Sequence, residues 1–293
     1  MLVPVSSHRY QPRQNDNSLR ERLIALAREK PRFGYRRLHV LLGGQGEQVN
    51  HKRVHRIYRE AGLALRRKKR KHCVRLSRPL GIYTAANQEW AFDFVHDAVA
   101  SGRSIRVLNV IDAYTRASLA MEVNTSFAGL RVTRVLDQII AERGQPRAIR
   151  CDNGPELTSR HFLAWALERK IDLVHIQLGK PTQNAYVESF NSKLREECLR
   201  VSWFQNLFQA RRIIANWRRE YNEHRPHSSL KYRTPSEFAA KASDGKDAGS
   251  ACLKNGTAVF HFPTDQLRLA EYYLYAENGG RPRRKGTSRI DEW

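Results

Sequence analysis

Three acidic residues lie inside or at the ends of apolar segments, where a folded chain rarely places a charge. Asp93 lies between aromatic residues in a segment that has the pattern of a β-strand. Asp152 follows a short apolar strand, and Glu188 lies beside the apolar stripe of a predicted helix. The sequence places 58 residues between the first two and 35 between the last two. A buried carboxylate without a partner is costly, so the fold must bring these groups to a cation or another partner.

Residues 180–191 predict a loop that leads into a helix. Pro181 suits the first turn, and the apolar side chains that follow recur at helical spacing. They are Val187, Phe190, Leu194 and Cys198. Glu188 lies at the edge of this buried face, on roughly the same side as Asn184 and Asn191. A lone glutamate on a helix is usually a solvated charge. Glu188 is distinguished by its position in the sequence relative to Asp93 and Asp152.

The segments between residues 89 and 223 predict alternating strands and helices. Strands are predicted at about 90–95, 104–111, 118–123, 148–151 and 171–177, and helices at about 127–143, 159–170, 185–198 and 204–223. The order βββ-α-β-α-β-α indicates an α/β fold in which helices flank a mixed five-stranded sheet. Asp152 then stands at the C-terminal end of a strand, where open α/β sheets place ligand sites.

Three converging carboxylates repel one another unless divalent cations neutralise their charge. Hard oxygen ligands, without a competing His and Cys set, fit Mg²⁺ or Mn²⁺. Two such ions can activate a nucleophile and stabilise the leaving oxygen in phosphoryl transfer. Asp97 and Asp112 are competing acids, but one lies near a strand end and the other in a hairpin. We therefore interpret both as structural or solvated.

The chain of 293 residues is strongly basic, and its charge is unevenly distributed. Residues 1–80 hold 21 Lys and Arg against 5 Asp and Glu, a net charge of +16, which leaves +7 of the total +23 for the remainder. The length suits about two domains. A basic protein of this size binds polyanions, and nucleic acid is the default partner.

Three short helices are predicted in the basic segment, at about 18–30, 35–42 and 51–61. The outer face of the third carries Lys52, Arg53 and Arg56, which we predict to bind DNA. Such a set is typical of a helix-turn-helix variant whose last helix lies in a major groove. A small basic bundle that touches only phosphates is an equally good interpretation.

Cysteine usage and hydropathy indicate the compartment. Four cysteines, at positions 73, 151, 198 and 252, form no CxxC pair, which favours a reducing environment. No apolar run of 18 residues predicts a membrane span, and the N-terminus lacks the apolar core of a signal peptide. We expect a cytoplasmic, nucleoid-associated protein.

Several motifs in the same order resemble one family. Asp93 in Trp-Ala-Phe-Asp-Phe-Val, Asp152 in Cys-Asp-Asn-Gly-Pro-Glu and Glu188 in Asn-Ala-Tyr-Val-Glu-Ser-Phe-Asn are similar to the D, D(35)E triad of insertion-sequence transposases. The resemblance is to their OrfB-type catalytic subunit, the bacterial group nearest to retroviral integrases. It continues through residues 221–230 and 233–238 and includes residues 35–38 and 50–54 of the helical segment.

The resemblance implies a ribonuclease-H-like catalytic core and a metal-dependent polynucleotidyl transferase. Asp93, Asp152 and Glu188 would be the catalytic residues and would hold two Mg²⁺ or Mn²⁺ ions. The enzyme would hydrolyse a phosphodiester at an element end and then join the freed 3′-hydroxyl to target DNA. The residues expected to contact DNA near the cut are Lys180, Asn184, Asn191 and Arg195. A homo-oligomer on DNA and an OrfA-type partner or fusion are also expected.

The predicted organisation has five parts. A flexible lead of residues 1–17 precedes the helical domain of residues 18–65, and a basic linker of residues 66–82 follows. Residues 83–242 form the integrase-like core, and residues 243–293 an atypical, flexible tail. Two other functions stay open: a non-catalytic DNA-binding protein from a degenerate element copy, and a metal-dependent nuclease that only hydrolyses.

Overall fold

The computed structural model describes residues 16–65, 83–176 and 184–243. These residues form two compact units. One contains residues 16–65 together with Glu223–Pro235, and the other contains the described residues of 78–222 and 236–243. Within the described ranges, no helix is both long enough and apolar enough to cross a bilayer.

The first unit is a three-helix arrangement, as the sequence predicts. Its helices are α1 (Asn17–Glu29), α2 (Tyr35–Gly44) and α3 (His51–Glu60). The side chain of Asn50 caps α3 by accepting a hydrogen bond from the Lys52 backbone N–H at 2.9 Å. The helices share one apolar core, whose most deeply buried side chains are Leu23, Leu38, Leu42, Val54 and Ile57. The outer face of α3 is left to its basic residues.

A segment from far along the chain also belongs to the first unit. Glu223–Pro235 groups with the three helices, and the buried Arg225 guanidinium lies 5.5 Å from the centre of the Phe33 ring. A 3₁₀ turn, Ser228–Leu230, ends at Lys231, whose φ of 55° is left-handed. The motif residues 223–235 therefore help to build the helical unit.

The second unit is built on a mixed sheet. Its strands are β1 (Glu89–Ala98), β2 (Ser104–Asp112), β3 (Ser118–Asn124), β4 (Ala148–Cys151) and β5 (Asp172–His175). They are arranged in the order β3-β2-β1-β4-β5. The first three pair in antiparallel fashion, whereas β4 runs parallel to both β1 and β5. The predicted mixed five-stranded sheet is confirmed.

Alternation along β1 divides the core into two layers. Trp90 and Phe92 pack on one face of the sheet, and Ala91 and Val95 pack on the other. The first face is covered by α4 (Gly129–Arg143) and α5 (Arg160–Glu168), and the second by α6 (Ala185–Glu197) and α7 (Leu207–Glu223). The last helix within the described residues is α8 (Pro235–Ser243). Because side chains alternate along a strand, every second residue of β1 faces α6.

Asp112, one of the two competing acids, has a structural role in the hairpin between β2 and β3. Asp112 is 2% exposed, and its carboxylate accepts the backbone N–H groups of Asn87, Tyr114 and Thr115. It also accepts the Thr115 hydroxyl. The predicted structural role of Asp112 is therefore confirmed, because its hydrogen bonds close the turn.

Phe190 links α6, α7 and the sheet, and its truncation tests this layer. Its ring is 1% exposed and packs edge-on against the rings of Trp217 and Tyr221 at 5.5 and 4.8 Å. We expect Phe190→Ala to lower the free energy of unfolding by about 3–5 kcal/mol, because it leaves a cavity. Chemical denaturation followed by tryptophan fluorescence measures this loss.

Phe208→Ala is the matched control for the aromatic truncation. Phe208 is 75% exposed on α7, so its loss should change stability by less than about 0.5 kcal/mol. Equal destabilisation by the two variants would contradict the packing described for this layer.

Candidate active site

The three carboxylates come from three elements of the second unit. Asp93 lies in β1 and alternates with Ala91 and Val95, so it faces α6. Asp152 directly follows β4, which pairs with β1. Glu188 lies in the first turn of α6, the helix that covers this face of the sheet. The fold thus brings residues from distant parts of the sequence to one face.

Asp93 is partly buried, and protein donors hold both of its oxygens. The backbone N–H of Phe94 donates to Oδ1 at 2.7 Å, and Asn191 Nδ2 donates to Oδ2 at 2.8 Å. Burial raises the pKa of Asp93 to about 6, and the negative charges of Asp152 and Glu188 add to this increase. The two hydrogen bonds act in the opposite direction. The charge of Asp93 is therefore affected by both other members of the triad.

The turn after β4 orients Asp152. Its Oδ1 accepts the backbone N–H of Gly154 at 3.1 Å. A Cβ atom at Gly154 would lie 3.2 Å from that same oxygen and 3.1 Å from Oε2 of Glu156. Since both distances are tight, glycine is the residue that fits between these two carboxylates. Glu156 is itself bound to Arg106 of β2, which ties the turn to the sheet.

Glu188 is the most exposed member of the triad. Its side chain lies at the solvent edge of α6, while Val187 and Phe190 on either side of it are buried. Partial burial raises its pKa above the ordinary value. The prediction that Glu188 stands at the edge of the buried face agrees with this placement. A substrate can reach Glu188 from solvent without displacing the core.

The donor set of the triad fits a hard divalent cation. All of its side-chain donors are carboxylate oxygens, which Mg²⁺ and Mn²⁺ prefer over nitrogen or sulfur. A cation bound nearby would favour the ionised form of Asp93, whose pKa is raised by burial and, to a lesser extent, by Asp152 and Glu188. In the part of the chain that the structure describes, no group of three or more His, Cys, Asp or Glu side chains forms a ready-made metal cage. The three carboxylates therefore share one face of the sheet without forming a closed metal cage.

Comparison with known proteins identifies both units. The HTH-like domain family matches residues 14–71, and two Integrase core domain families match residues 83–181 and 169–235. The chain is 48% identical over 241 residues to the uncharacterized 31.7 kDa protein of insertion element IS407 from Burkholderia multivorans. That match covers 82% of this chain and 87% of the relative. The chain belongs to the insertion-element transposase family.

A more distant relative is named as a transposase. Transposase InsD of insertion element IS2 from Escherichia coli is 26% identical over 258 residues, covering 82% of this chain and 84% of InsD. Among solved structures, the HTLV-2 integrase catalytic core in complex with magnesium matches at 16% identity and a TM-score of 0.44. The match covers 53% of this chain and 97% of that one. The two Integrase core domain matches and the mixed five-stranded sheet together show the expected integrase-like core of this transposase-family chain.

The DNA contacts predicted near the triad occupy different environments. Asn184 and Asn191 are 3% and 6% exposed. Asn184 Nδ2 lies 3.4 Å from the Phe92 carbonyl oxygen, and Asn191 bonds to Asp93. Arg195 is exposed on α6, and Lys180 lies outside the described residues. DNA contact by these four residues stays a prediction, but the internal bonds of Asn191 give it a role within the protein.

The predicted DNA contacts of the helical unit lie together on α3. Lys52 and Arg56 are exposed, and Arg53 is partly buried. The carboxylate of Asp16 binds both arginines at 2.5 Å and so holds their guanidinium groups side by side. With His55, Arg59 and Glu60, the outer face of α3 lines an open depression on the surface. DNA contact by Lys52, Arg53 and Arg56 stays a prediction.

Sequence analysis missed a buried ion pair beside the triad. Arg150 donates through Nε and Nη2 to the two carboxylate oxygens of Glu89, at 2.7 and 2.9 Å, and Glu89 is 6% exposed. The hydroxyl of Tyr83 also donates to Glu89, at 2.6 Å. Glu89 is four residues before Asp93, and Arg150 is two residues before Asp152. Because side chains alternate along a strand, an even spacing places each pair on the same face of the sheet. This even spacing is the sequence signal that could have revealed Glu89 and Arg150.

The same network reaches the helix that carries Glu188. The ring of Tyr83 meets the ring of Tyr186 edge-on at 5.9 Å, and the Arg116 guanidinium lies 3.6 Å from the centre of the Tyr186 ring. Tyr186 precedes Glu188 by two residues. The ion pair and the aromatic contacts therefore connect β1, β4 and α6, the three elements that position the triad.

The raised pKa of Asp93 predicts a pH-dependent stability. Asp93 binds its proton with a pKa of about 6 in the folded chain and near 3.8 when unfolded, so between these values the folded state holds more protons. Stability should therefore fall as pH rises from about 4 to about 6, by on the order of 1–3 kcal/mol. Denaturation of the full chain at a series of pH values in a chelator measures this slope.

Asp93→Asn removes the titrating group and should flatten the slope between pH 4 and pH 6. Asp97→Asn, four residues further along β1, retains Asp93 and should retain the wild-type pH dependence. If Asp93→Asn followed the wild-type curve, the raised pKa of Asp93 would be wrong.

Proposed function

We propose that this transposase-family protein is a polynucleotidyl transferase that cuts DNA at an element end and joins the freed strand to a target. One observation carries the proposal: β1, the turn after β4 and the first turn of α6 bring Asp93, Asp152 and Glu188 to one face of the sheet, although the sequence separates them by tens of residues. Burial raises the pKa of Asp93 to about 6, and the charges of Asp152 and Glu188 add to this increase, which agrees with that placement. Family membership supports DNA as the substrate.

Asp93, Asp152 and Glu188 would hold two Mg²⁺ or Mn²⁺ ions. When bound, such ions lower the pKa of an attacking water or hydroxyl and stabilise the leaving oxygen of a phosphodiester. The protein contributes fixed geometry. The Phe94 N–H and Asn191 orient Asp93, and the Gly154 N–H orients Asp152. Glu188 completes the set from the exposed edge of α6.

The reaction would take place in two phosphoryl transfers. In the first, a water oxygen forms a bond to phosphorus at the element end, and the 3′-oxygen leaves as a hydroxyl. In the second, that 3′-hydroxyl attacks a phosphodiester of the target, and the target's 3′-oxygen leaves. Each step exchanges one P–O bond for another, so neither requires an oxidant or an energy-rich cosubstrate. One carboxylate site can therefore serve both.

The helical unit would bind the DNA. Lys52, Arg53 and Arg56 project from the outer face of α3, and this unit belongs to the net +16 part of the sequence. Neutralising DNA phosphates releases counterions, which supplies affinity independent of base sequence. A homo-oligomer on DNA, an OrfA-type partner and a nucleoid location remain predictions of the same proposal.

Glu188→Gln tests the chemistry of the site. The amide keeps the size of the side chain and the packing of Val187 and Phe190, but it removes one negative charge from the metal ligands. We expect DNA cleavage and strand transfer in Mg²⁺ to fall by on the order of 10² to 10³. Gel-shift affinity for the same DNA should be unchanged or slightly higher, because one negative charge has been removed.

Glu168→Gln is the control for the charge change. Glu168 is exposed on α5, away from the triad, and its variant should cleave at the wild-type rate. Wild-type activity in Glu188→Gln, or full wild-type activity in excess chelator, would refute the triad assignment. A wild-type chain that binds DNA but never cleaves it would favour a degenerate, non-catalytic copy, whereas cleavage without joining would favour a nuclease.

Lys52→Gln tests the DNA-binding face of α3 in the full chain. Because each lost phosphate contact retains about one counterion, the slope of log K against log salt should become shallower by about 0.7–1. Titration of element-end DNA by fluorescence anisotropy at four salt concentrations measures it. Lys241→Gln, an exposed lysine of α8, is the control, and an identical slope in both variants would argue against this face.

A further inference from the structure

A chain of side-chain amides connects the centre of the sheet to Asp93. Asn109 of β2 is directly opposite Asp93 in the antiparallel register and is 0% exposed. Its Nδ2 donates to Asn191 Oδ1 at 2.7 Å, and Asn191 Nδ2 donates to Asp93 Oδ2 at 2.8 Å. Asn191 lies one turn after Glu188 on α6. The chain therefore joins two members of the triad's scaffold, β1 and α6, through β2.

The direction of these hydrogen bonds follows from charge. An ionised carboxylate only accepts hydrogen bonds, so Asn191 must turn its NH₂ group towards Asp93. Its carbonyl oxygen then faces Asn109, which in turn must present a donor. The two ends of an asparagine amide have nearly the same shape, so packing alone does not select between them. The donor of Asn109 is what selects the orientation of Asn191 that suits Asp93.

Asn109 is an unfavourable residue for stability alone. Its own Oδ1 is buried and has no hydrogen-bond partner among the described residues. A buried amide with an unpaired oxygen is less favourable than an apolar residue of similar volume. The neighbours on the same face of β2, Val107 and Ile111, are apolar, as this core requires. The single polar position on that face is the one opposite Asp93.

We propose that Asn109 is a positioning residue that acts through Asn191 to orient the carboxylate of Asp93. Its role in catalysis rests on the function proposed above, but its effect on cation binding does not require turnover. Removing a group that hydrogen-bonds to a metal-binding side chain, as Asn191 does to Asp93, typically weakens metal affinity by about 10–100-fold. Without the Asn109 donor, the Asn191 amide can rotate and direct an oxygen at Asp93, which repels its carboxylate.

Mn²⁺ binding to the full chain tests the proposal without DNA. Asn109→Leu keeps the volume but removes the donor, and Asn109→Ser shortens the side chain so that it no longer reaches Asn191. We expect both to raise the Kd for Mn²⁺ about 10-fold or more, as measured by electron paramagnetic resonance of the free ion. If the leucine variant fails to fold, as judged by circular dichroism, the serine variant decides.

A double-mutant cycle separates a role through Asn191 from a general loss of packing. Asn191→Leu should weaken Mn²⁺ binding, and adding Asn109→Leu to it should cause little further loss, because residues that act through one contact are not additive. Thr133→Val, at an equally buried polar position in α4 on the other face of the sheet, should leave the Kd unchanged. In a cleavage assay, the Mg²⁺ concentration for half-maximal rate should rise in the Asn109 variants while DNA affinity stays constant.

The outcomes distinguish this role from the proposed function. The role of Asn109 would be overturned if both Asn109 variants bound Mn²⁺ with wild-type affinity. It would also be overturned if the losses from Asn109→Leu and Asn191→Leu multiplied in the double variant. Either result would leave the proposed function standing. A wild-type chain that binds no Mn²⁺ would overturn both. Three results together would establish the role of Asn109: weakened Mn²⁺ binding in Asn109→Ser, restored activity at high Mg²⁺, and non-additivity with Asn191→Leu.

Discussion

The partial burial of the Asp93 carboxylate in the sheet beneath α6, where the charges of Asp152 and Glu188 also act on it, is the constraint that the second unit has to accommodate. Asp93 cannot leave its strand, because Ala91 and Val95 on the same face are buried in the core beneath α6. Its pKa of about 6 expresses the cost of ionising it at this buried position, to which the charges of Asp152 and Glu188 add. A partly buried carboxylate is costly, so the surrounding structure must supply both its hydrogen bonds and its rigidity.

That rigidity comes from neutral donors and from charges that are paired elsewhere. Asn191 and the Phe94 N–H satisfy Asp93 without adding a positive charge that would compete with a cation. The strong cation nearby, Arg150, is bound at both Nε and Nη2 by Glu89 and so holds β4 against β1. The Asp93 carboxylate is thus held by neutral donors, while β1, which carries Asp93, and β4, which leads into Asp152, are held together.

The helical unit carries its charge on its surface, unlike the second unit, where a carboxylate is partly buried. Its charge is a surface property, carried on the outer face of α3 above an apolar core centred on Leu23 and Leu38. Asp16 holds Arg53 and Arg56 in fixed positions, so part of the basic face is ordered before any polyanion arrives. The segment Glu223–Pro235 makes this unit discontinuous in sequence. Residues 223–235 of the motif region therefore contribute to the structure of the helical unit and not to the unit that carries the triad.

Much of the fold was determined by local sequence patterns. The alternation around Asp93, the helical spacing of Val187 and Phe190, and the cap at Asn50 specify strands and helices through short-range physics, and all are observed. The triad could be named because its residues carry charge where the pattern is apolar. Asn109 was missed although it is the one polar residue in an apolar run, since its meaning depends on which residue of β1 lies opposite. Several contacts join residues that are tens to nearly two hundred positions apart in the sequence. They include the register of the strands, the pairing of Arg150 with Glu89 and the contact of Arg225 with Phe33. Only the tertiary structure decides such pairs, because their energies depend on distances that no local pattern specifies.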